Sequence, residues 1–199
     1  AITYGGVLRL DGKESIDADA KNIFLVMNCT FINNTARSGA VTDIKKYQTI
    51  QIDKAQFLFN FVQSKGTCMS VREAGTVSIG HSYFQENSGE KGGCVYAMDV
   101  KRVATYNNTY VLNTASEKGG ALRIFDDLRN LSVFIMNCLF WKNESPYGGA
   151  AHIEKSDKVH IVNCSFVKNS ASEVGAAFYI YKFHDVFCFN SYIVNNAIR

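Results

Sequence analysis

Glu73, Asp99 and Asp126 fall at equivalent places, each six residues past a recurring glycine mark, with Asp127 and Glu154 close by. Convergent carboxylates act on polysaccharides in two ways: a pair flanks a glycosidic bond, or a cluster holds calcium beside a basic residue. If the repeats stack as neighbouring strands, about 4.8 Å apart, the three acids form a column that repels itself. It must then be paired with Arg72, Lys101, Arg102 and Lys155, screened by water, or bridged by calcium. Calcium is the one cofactor the residues suggest.

Six cysteines, Cys29, Cys68, Cys94, Cys138, Cys164 and Cys188, include no C-x-x-C pair for zinc or redox work. Cys68 and Cys94 share one repeat position, and Cys138 and Cys164 share another. Each pair is either two buried thiols acting as small hydrophobes or a coil-to-coil disulfide, Cys68–Cys94 and Cys138–Cys164. No His or Asn is expected beside them, so they make poor nucleophiles. His152, His160 and His184 lie at non-ligand spacing and read as surface or turn residues, with His152 facing outward beside Arg123 and Tyr179. Outward positions of one strand column, Arg9, Ser70, Tyr96, Arg123, His152 and Tyr179, mix aromatic and basic groups as a glycan-binding or protein-binding strip does. Sequons begin at Asn28, Asn33, Asn107, Asn130, Asn143 and Asn163. On a eukaryotic secretory route Asn33 and Asn130, in expected loops, are the first acceptors. Asn28, Asn107 and Asn163 are expected to be engaged at corners, and Asn143 is weakened by Pro146.

The elements that position these residues follow from a repeat. An aromatic and, three residues on, Asn occur as Phe31/Asn34, Phe57/Asn60, Phe84/Asn87, Tyr110/Asn113, Phe140/Asn143 and Phe166/Asn169, with Ile193/Asn196 as a degenerate seventh. A glycine mark follows each Asn except the last, as in Gly92-Gly93-Cys94, Gly119-Gly120-Ala121 and Gly148-Gly149-Ala150, and Gly5-Gly6-Val7 opens the series. A third mark precedes the aromatic by three residues: Asn28, Lys54, His81, Asn107, Asn137, Asn163 and Asn190. Between the marks run short apolar-x-apolar strands such as Leu122/Ile124, Val133/Ile135 and Val159/Ile161, with period two. The alternation changes phase at the third mark, which predicts a corner. Asn tolerates the left-handed conformation a corner needs, and stacked amides at Asn28, Asn107, Asn137, Asn163 and Asn190 are expected to hydrogen-bond as a ladder.

Short strands and turns in 26–30 residues describe one coil of a parallel β-helix. The expected fold is all-β, a right-handed parallel β-helix of about seven coils, forming a single domain over residues 1–199 with an internal Phe stack. Residues 11–22 lengthen the first coil and are expected to form an exposed loop. Composition agrees: 199 residues, 15 Gly, one Pro, 14 Phe and 10 Tyr suit turn-rich strands. At 47% hydrophobic and a formal charge of +3, the chain is neither a disordered segment nor a nucleic-acid binder by charge, and no window is apolar enough for a membrane-spanning helix. It opens on Ala1 without a leader, so targeting signals are expected to be absent or already removed. No polar capping unit is visible, which predicts a segment of a longer array or a subunit stacked end to end on other copies.

With these marks the chain resembles the polymorphic membrane protein repeats of chlamydial autotransporters and similar repeats of protist surface proteins, which pair Gly-Gly-Ala-Ile with Phe-x-x-Asn. Gly119-Gly120-Ala121-Leu122 with Phe140-Trp141-Lys142-Asn143 carries the likeness, and Gly66-Thr67-Cys68-Met69 and Tyr110-Val111-Leu112-Asn113 depart from it. The resemblance implies a pectin-lyase-like right-handed β-helix on a cell surface or in secreted material, in an adhesive, coat or fibre role, with host-cell or matrix glycans or proteins as partners. The expected function is therefore a non-enzymatic structural or adhesive module. The alternative is a polysaccharide-binding or polysaccharide-cleaving β-helix using the acidic column. For that alternative the Gly-His-Gly with paired Asp of polygalacturonases is missing, Gly80-His81-Ser82 being the nearest string.

Overall fold

A computed structural model describes residues 6–12, 22–127 and 130–199, all of it strand, turn and bend without a helix. Every strand pairing is parallel, and equivalent residues of successive repeats are in register, as in Tyr96↔Arg123, Arg123↔His152 and His152↔Tyr179. The Phe-bearing strands, from Thr30–Ile32 to Tyr192–Val194, stack into a seven-stranded sheet, so the chain is a parallel β-solenoid of about six turns. Gly5 and most of the expected loop at 11–22 lie outside the described residues.

Each turn of the solenoid is bent by left-handed residues. In the coil that runs from Ala151, the strand Ala151–Val162 kinks at Lys155 (φ 55°), turns at Asn163 (φ 53°) into Ser165–Val167, turns again at Lys168 (φ 55°) into Ser170–Ala171, and closes at Gly175 (φ 70°). A left-handed residue costs a β-carbon-bearing side chain about 1–2 kcal/mol, so the bends need compensation from stacking. Glycine is required twice over at the closing turn: Gly119 is left-handed (φ 68°), and a β-carbon on Gly120 would run into the carbonyl of Gly149 on the next coil.

Stacking supplies the compensation in two interior columns. Phe31, Phe57, Phe84, Tyr110, Phe140 and Phe166 lie ring on ring with centroids 4.7–5.1 Å apart, each pair adding about 0.5–1.5 kcal/mol beyond its burial. Tyr110 fits the Phe column because its hydroxyl meets Thr105 Oγ1 at 2.8 Å, and Asn108 Nδ2 donates to the same Thr105 oxygen at 2.7 Å. The second column corrects the expected ladder. Asn28, Asn107, Asn137, Asn163 and Asn190 do turn the chain at φ 46–55°, but all five are exposed. The amide ladder is built instead by the Asn of Phe-x-x-Asn. Asn34, Asn60, Asn87, Asn113, Asn143 and Asn169 each donate from Nδ2 to Oδ1 of the next member, ending at Asn196, at 2.9–3.0 Å. The backbone N–H of each donates to the same oxygen.

For Cys68–Cys94 and Cys138–Cys164 the structure has the first of the two readings left open, buried thiols and no disulfide: all six cysteines are free. Cys138 and Cys164 occupy the position after the Asn corner, where each Sγ donates to the carbonyl two residues back, Met136 and Val162, at 3.2 Å. Ser82 and Ser191 do the same with their hydroxyls, to Gly80 and Phe189. Each of these carbonyls already accepts a backbone N–H from the preceding coil, such as Asn107 to Met136 and Asn137 to Val162, so the thiol or hydroxyl is its second donor. Cys68 and Cys94 continue into the column of Ala121, Ala150 and Ala177 and pack there as small apolar groups. Burial pushes the Cys68 thiol well up, as it does Cys138, away from the reactive thiolate.

Candidate functional site

The acidic column does not converge. Glu73 and Asp99 occupy the kink position with Lys46, Lys155 and Lys182, all left-handed at φ 54–60°. Glu73 pairs with Lys45 at 3.0 Å, Asp99 Oδ1 accepts from the Asp127 backbone at 3.0 Å, and buried Asp126 accepts from the Asn130 backbone at 2.7 Å. Asp127 is bound by Lys155. Each carboxylate has its own partner, and among the described residues no three His, Cys, Asp or Glu side chains are grouped to hold a metal. The calcium site expected at Glu73, Asp99 and Asp126 is therefore not formed by these residues.

The aromatic and basic strip is where side chains do converge, though in a groove rather than on an open face. Its floor is Tyr96, Arg123, His152 and Tyr179, in register on consecutive coils. One wall is the residue before each left-handed glycine: Lys65, Lys91, Lys118 and Tyr147, again in register. The other is Phe125, Glu154 and Tyr181, two positions along the floor strands. The glycine turn folds the chain back until the wall stands against the floor. Lys65 Nζ lies 5.3 Å from the Tyr96 ring centre, and Tyr147 and Tyr179 are 6.4 Å apart. Two adjoining cavities result, of about 220 Å³ (Lys65, Lys91, Tyr96, Lys118, Arg123, Phe125) and about 260 Å³ (Lys118, Tyr147, His152, Glu154, Tyr179, Tyr181).

This enclosure changes the charge states of the floor. Arg123 is buried, with its guanidinium 4.6 Å from the Phe125 ring centre and Nη2 donating to Glu154 Oε2 at 2.7 Å. Burial draws its pKa down while Glu154 holds it up. Burial raises the Tyr96 phenol against the pull of Arg123, Lys91 and Arg72. His152, expected at the surface, is only 2% exposed, and both ring nitrogens lack a hydrogen-bond partner. Burial, then the cations Arg123 and Lys118, lower its pKa to about 3, so it is neutral at physiological pH. Lys91 is held by Glu90 and Glu117, both at 3.0 Å, whereas Lys65 and Lys118 form no ion pair among the described residues.

Of the rest of the expected strip, Ser70 is buried at a neighbouring floor position, and Arg9 is exposed beside Asp11. Asp43, between them in register, is buried and receives Arg72 Nη2 on both oxygens at 3.0 and 3.1 Å. Its pairing was not expected from sequence. His160 stacks between Phe134 and Phe187 at 5.0 and 4.9 Å, and His184 is exposed. A larger cavity of about 550 Å³ lies on the third sheet, lined by Phe61, Ser88, Thr114, Glu144, Ser145 and others. Three of its hydroxyls are engaged internally, Thr114 with Ser88 and Ser145 with two carbonyls.

The sequons divide differently from expectation. Asn28, Asn107 and Asn163 are as exposed as Asn33 and Asn130, so the corners leave room for a glycan. Asn143 is fully enclosed in the amide ladder and is no acceptor in the folded chain. No protein-family model, no curated protein and no solved structure matches the chain.

Proposed function

We propose that the chain is a non-enzymatic structural and adhesive module of a secreted or cell-surface protein: a stiff solenoid that holds a lateral groove in fixed geometry. One observation carries this reading. The interior is given over to continuity along the axis, through the aromatic stack and an amide ladder unbroken from Asn34 to Asn196. Such a device makes length and rigidity, which an adhesin or fibre needs. Exposed sequons at Asn28, Asn33, Asn107, Asn130 and Asn163 and the likeness to surface-protein repeats favour an extracellular place. Exposed apolar side chains on the strand Phe178–Phe189, Phe183, Phe187 and Phe189, favour a further coil or a second copy stacking there.

The polysaccharide-cleaving alternative loses the residue set it named, since Glu73, Asp99 and Asp126 each have separate partners. Its binding half keeps support from the groove. The test is adhesion: beads coated with purified chain, scored on cells and on extracellular-matrix preparations against beads coated with the heat-unfolded chain. Adhesion by native beads alone supports the reading. Equal adhesion by both, or none by either, sinks it.

A further inference from the structure

The groove carries a row of cations, two of which, Lys65 and Lys118, form no ion pair among the described residues. Lys65, Lys91 and Lys118 stack in register on three consecutive coils, where like charges directly opposite one another destabilise a sheet. Of the three, only Lys91 has carboxylate partners among the described residues, Glu90 and Glu117, and neither lines the cavity. Arg123 adds a fourth cation from the floor, and its one carboxylate partner, Glu154, lies towards the second cavity. The chain's formal charge is only +3, so four cations in one row are a local concentration of positive charge, and the row runs along the solenoid axis. A recess lined by one sign of charge concentrates the opposite sign.

The adjoining cavity, which shares Lys118, has a different chemistry. Tyr147, Tyr179 and Tyr181 give it flat walls with phenol edges, Tyr179 and Tyr181 lying 6.1 Å apart and stacked. His152 lies against Tyr179 with ring centres 4.9 Å apart. Its two unpartnered nitrogens, one a donor and one an acceptor in the neutral ring, face different ways, and each suits a separate hydroxyl, which can donate or accept. A buried polar group without a partner is a cost that a ligand removes.

We propose that the groove binds an acidic polysaccharide lying along the solenoid axis, with a carboxylate or sulfate among Lys65, Lys91, Lys118 and Arg123 and the adjoining sugar against Tyr147, Tyr179 and His152. This rests on the adhesive reading and supplies its ligand. Uronate and sulfate share the chemistry of the cation row, and the choice of probes separates them.

The experiment measures binding of heparin, chondroitin sulfate and polygalacturonate to the full chain at low salt, with dextran as the neutral control and polyphosphate as a polyanion without sugars. Sulfated chains binding alone identify sulfate as the anion; polygalacturonate binding identifies carboxylate as sufficient. The expected result is that at least one acidic polysaccharide binds and dextran does not. The double variant Lys65→Glu/Lys118→Glu, at two incompletely buried positions, weakens that binding by about tenfold or more. Tyr179→Ala and His152→Phe weaken the polysaccharide but leave polyphosphate unchanged, with unfolding curves showing that each variant is folded; Tyr179→Ala alone decides if His152→Phe is not. The proposal is overturned if no acidic polysaccharide binds, if the double variant binds as the parent does, or if Tyr179→Ala leaves polysaccharide binding intact. In the bead assay, parent and double variant adhering equally would overturn the groove as the adhesive surface and leave the adhesive module standing. Parent beads that fail to adhere would sink the module reading itself.

Discussion

Asn113 and Asn107 stand on the same coil, six residues apart, and each belongs to a column that runs the length of the solenoid. Asn113 is fully enclosed, and its amide donates to Asn143 Oδ1 at 3.0 Å and to the Phe84 carbonyl at 3.1 Å while accepting from Asn87. Asn107 is exposed and left-handed, and its amide meets only the side chain of His81, at 3.0 Å. One column uses what an asparagine side chain can bond; the other uses what an asparagine backbone tolerates. The first admits no substitute in seven repeats, whereas the second accepts Lys54 and His81 at the same φ. Uniformity therefore marks the side-chain role, and tolerance marks the backbone role.

The largest break in this comparison comes from Asn113→Ala. It takes from Asn87 the oxygen that its backbone N–H and its amide both use, and a donor from the Phe84 carbonyl, while Asn143 Oδ1 keeps the backbone N–H of residue 113; at about 1–3 kcal/mol for each buried group left short, a loss of about 4 kcal/mol is expected in urea unfolding. A loss below about 1 kcal/mol would mean the ladder is incidental to stability.

Acid tests a buried polar group of the opposite kind, one without partners. His152 has a folded pKa of about 3 against 6.5 when free, so below pH 6.5 the unfolded chain takes up a proton that the folded chain refuses. Stability is fully present above pH 6.5 and falls as pH drops towards 3, by a few kcal/mol at most. The groups facing the ring are Arg123, Lys118, Glu154, Tyr147, Tyr179 and Tyr181, and Glu154 is the carboxylate among them. His152→Gln should flatten this limb, measured as the difference in unfolding free energy between pH 7 and pH 4. An identical slope in parent and variant would contradict the neutral buried ring.

At the exposed column the effect shrinks. Asn163→Ala is expected to cost about 1 kcal/mol through its left-handed backbone, and Asn163→Gly close to nothing, because glycine adopts that conformation freely. Equal costs for the two variants would show that the side chain matters there after all. The smallest effect is on stability and the clearest on chemistry: in material secreted from a eukaryotic host, glycans are expected at Asn28, Asn107 and Asn163 but not at Asn143. Peptide-resolved mass spectrometry of folded protein checks this, and a glycan on Asn143 would contradict the enclosed ladder.

Period and alternation made the solenoid, its parallel stacking and the Phe column legible, since each follows from spacing alone. The ladder was harder, because Asn of Phe-x-x-Asn follows a second left-handed corner held by Asn33, Phe59, Glu86, Leu112, Lys142, Lys168 and Asn195. These residues share no chemistry, so the corner leaves no mark in composition. Its invariance was the available signal. The groove was half legible. Tyr96, Arg123, His152 and Tyr179 were placed in one outward column, but outward from the core is not the same as exposed. What encloses them is the residue before each glycine, in a stretch whose spacing varies from coil to coil and gives no register. Lys65-Gly66, Lys91-Gly92 and Lys118-Gly119 carried the pattern, once the glycine is understood to swing its predecessor against the neighbouring strand.

The amide ladder has a direction. Every Nδ2 donates towards the coil that follows, from Asn34 to Asn60 and on to Asn196, so the column is an arrow with acceptor oxygens facing its beginning and donor nitrogens facing its end. Two such arrows can be joined tip to tail but not tip to tip. A two-fold axis through either end would set donor against donor or acceptor against acceptor, so the ladder can be continued only across a junction of one polarity.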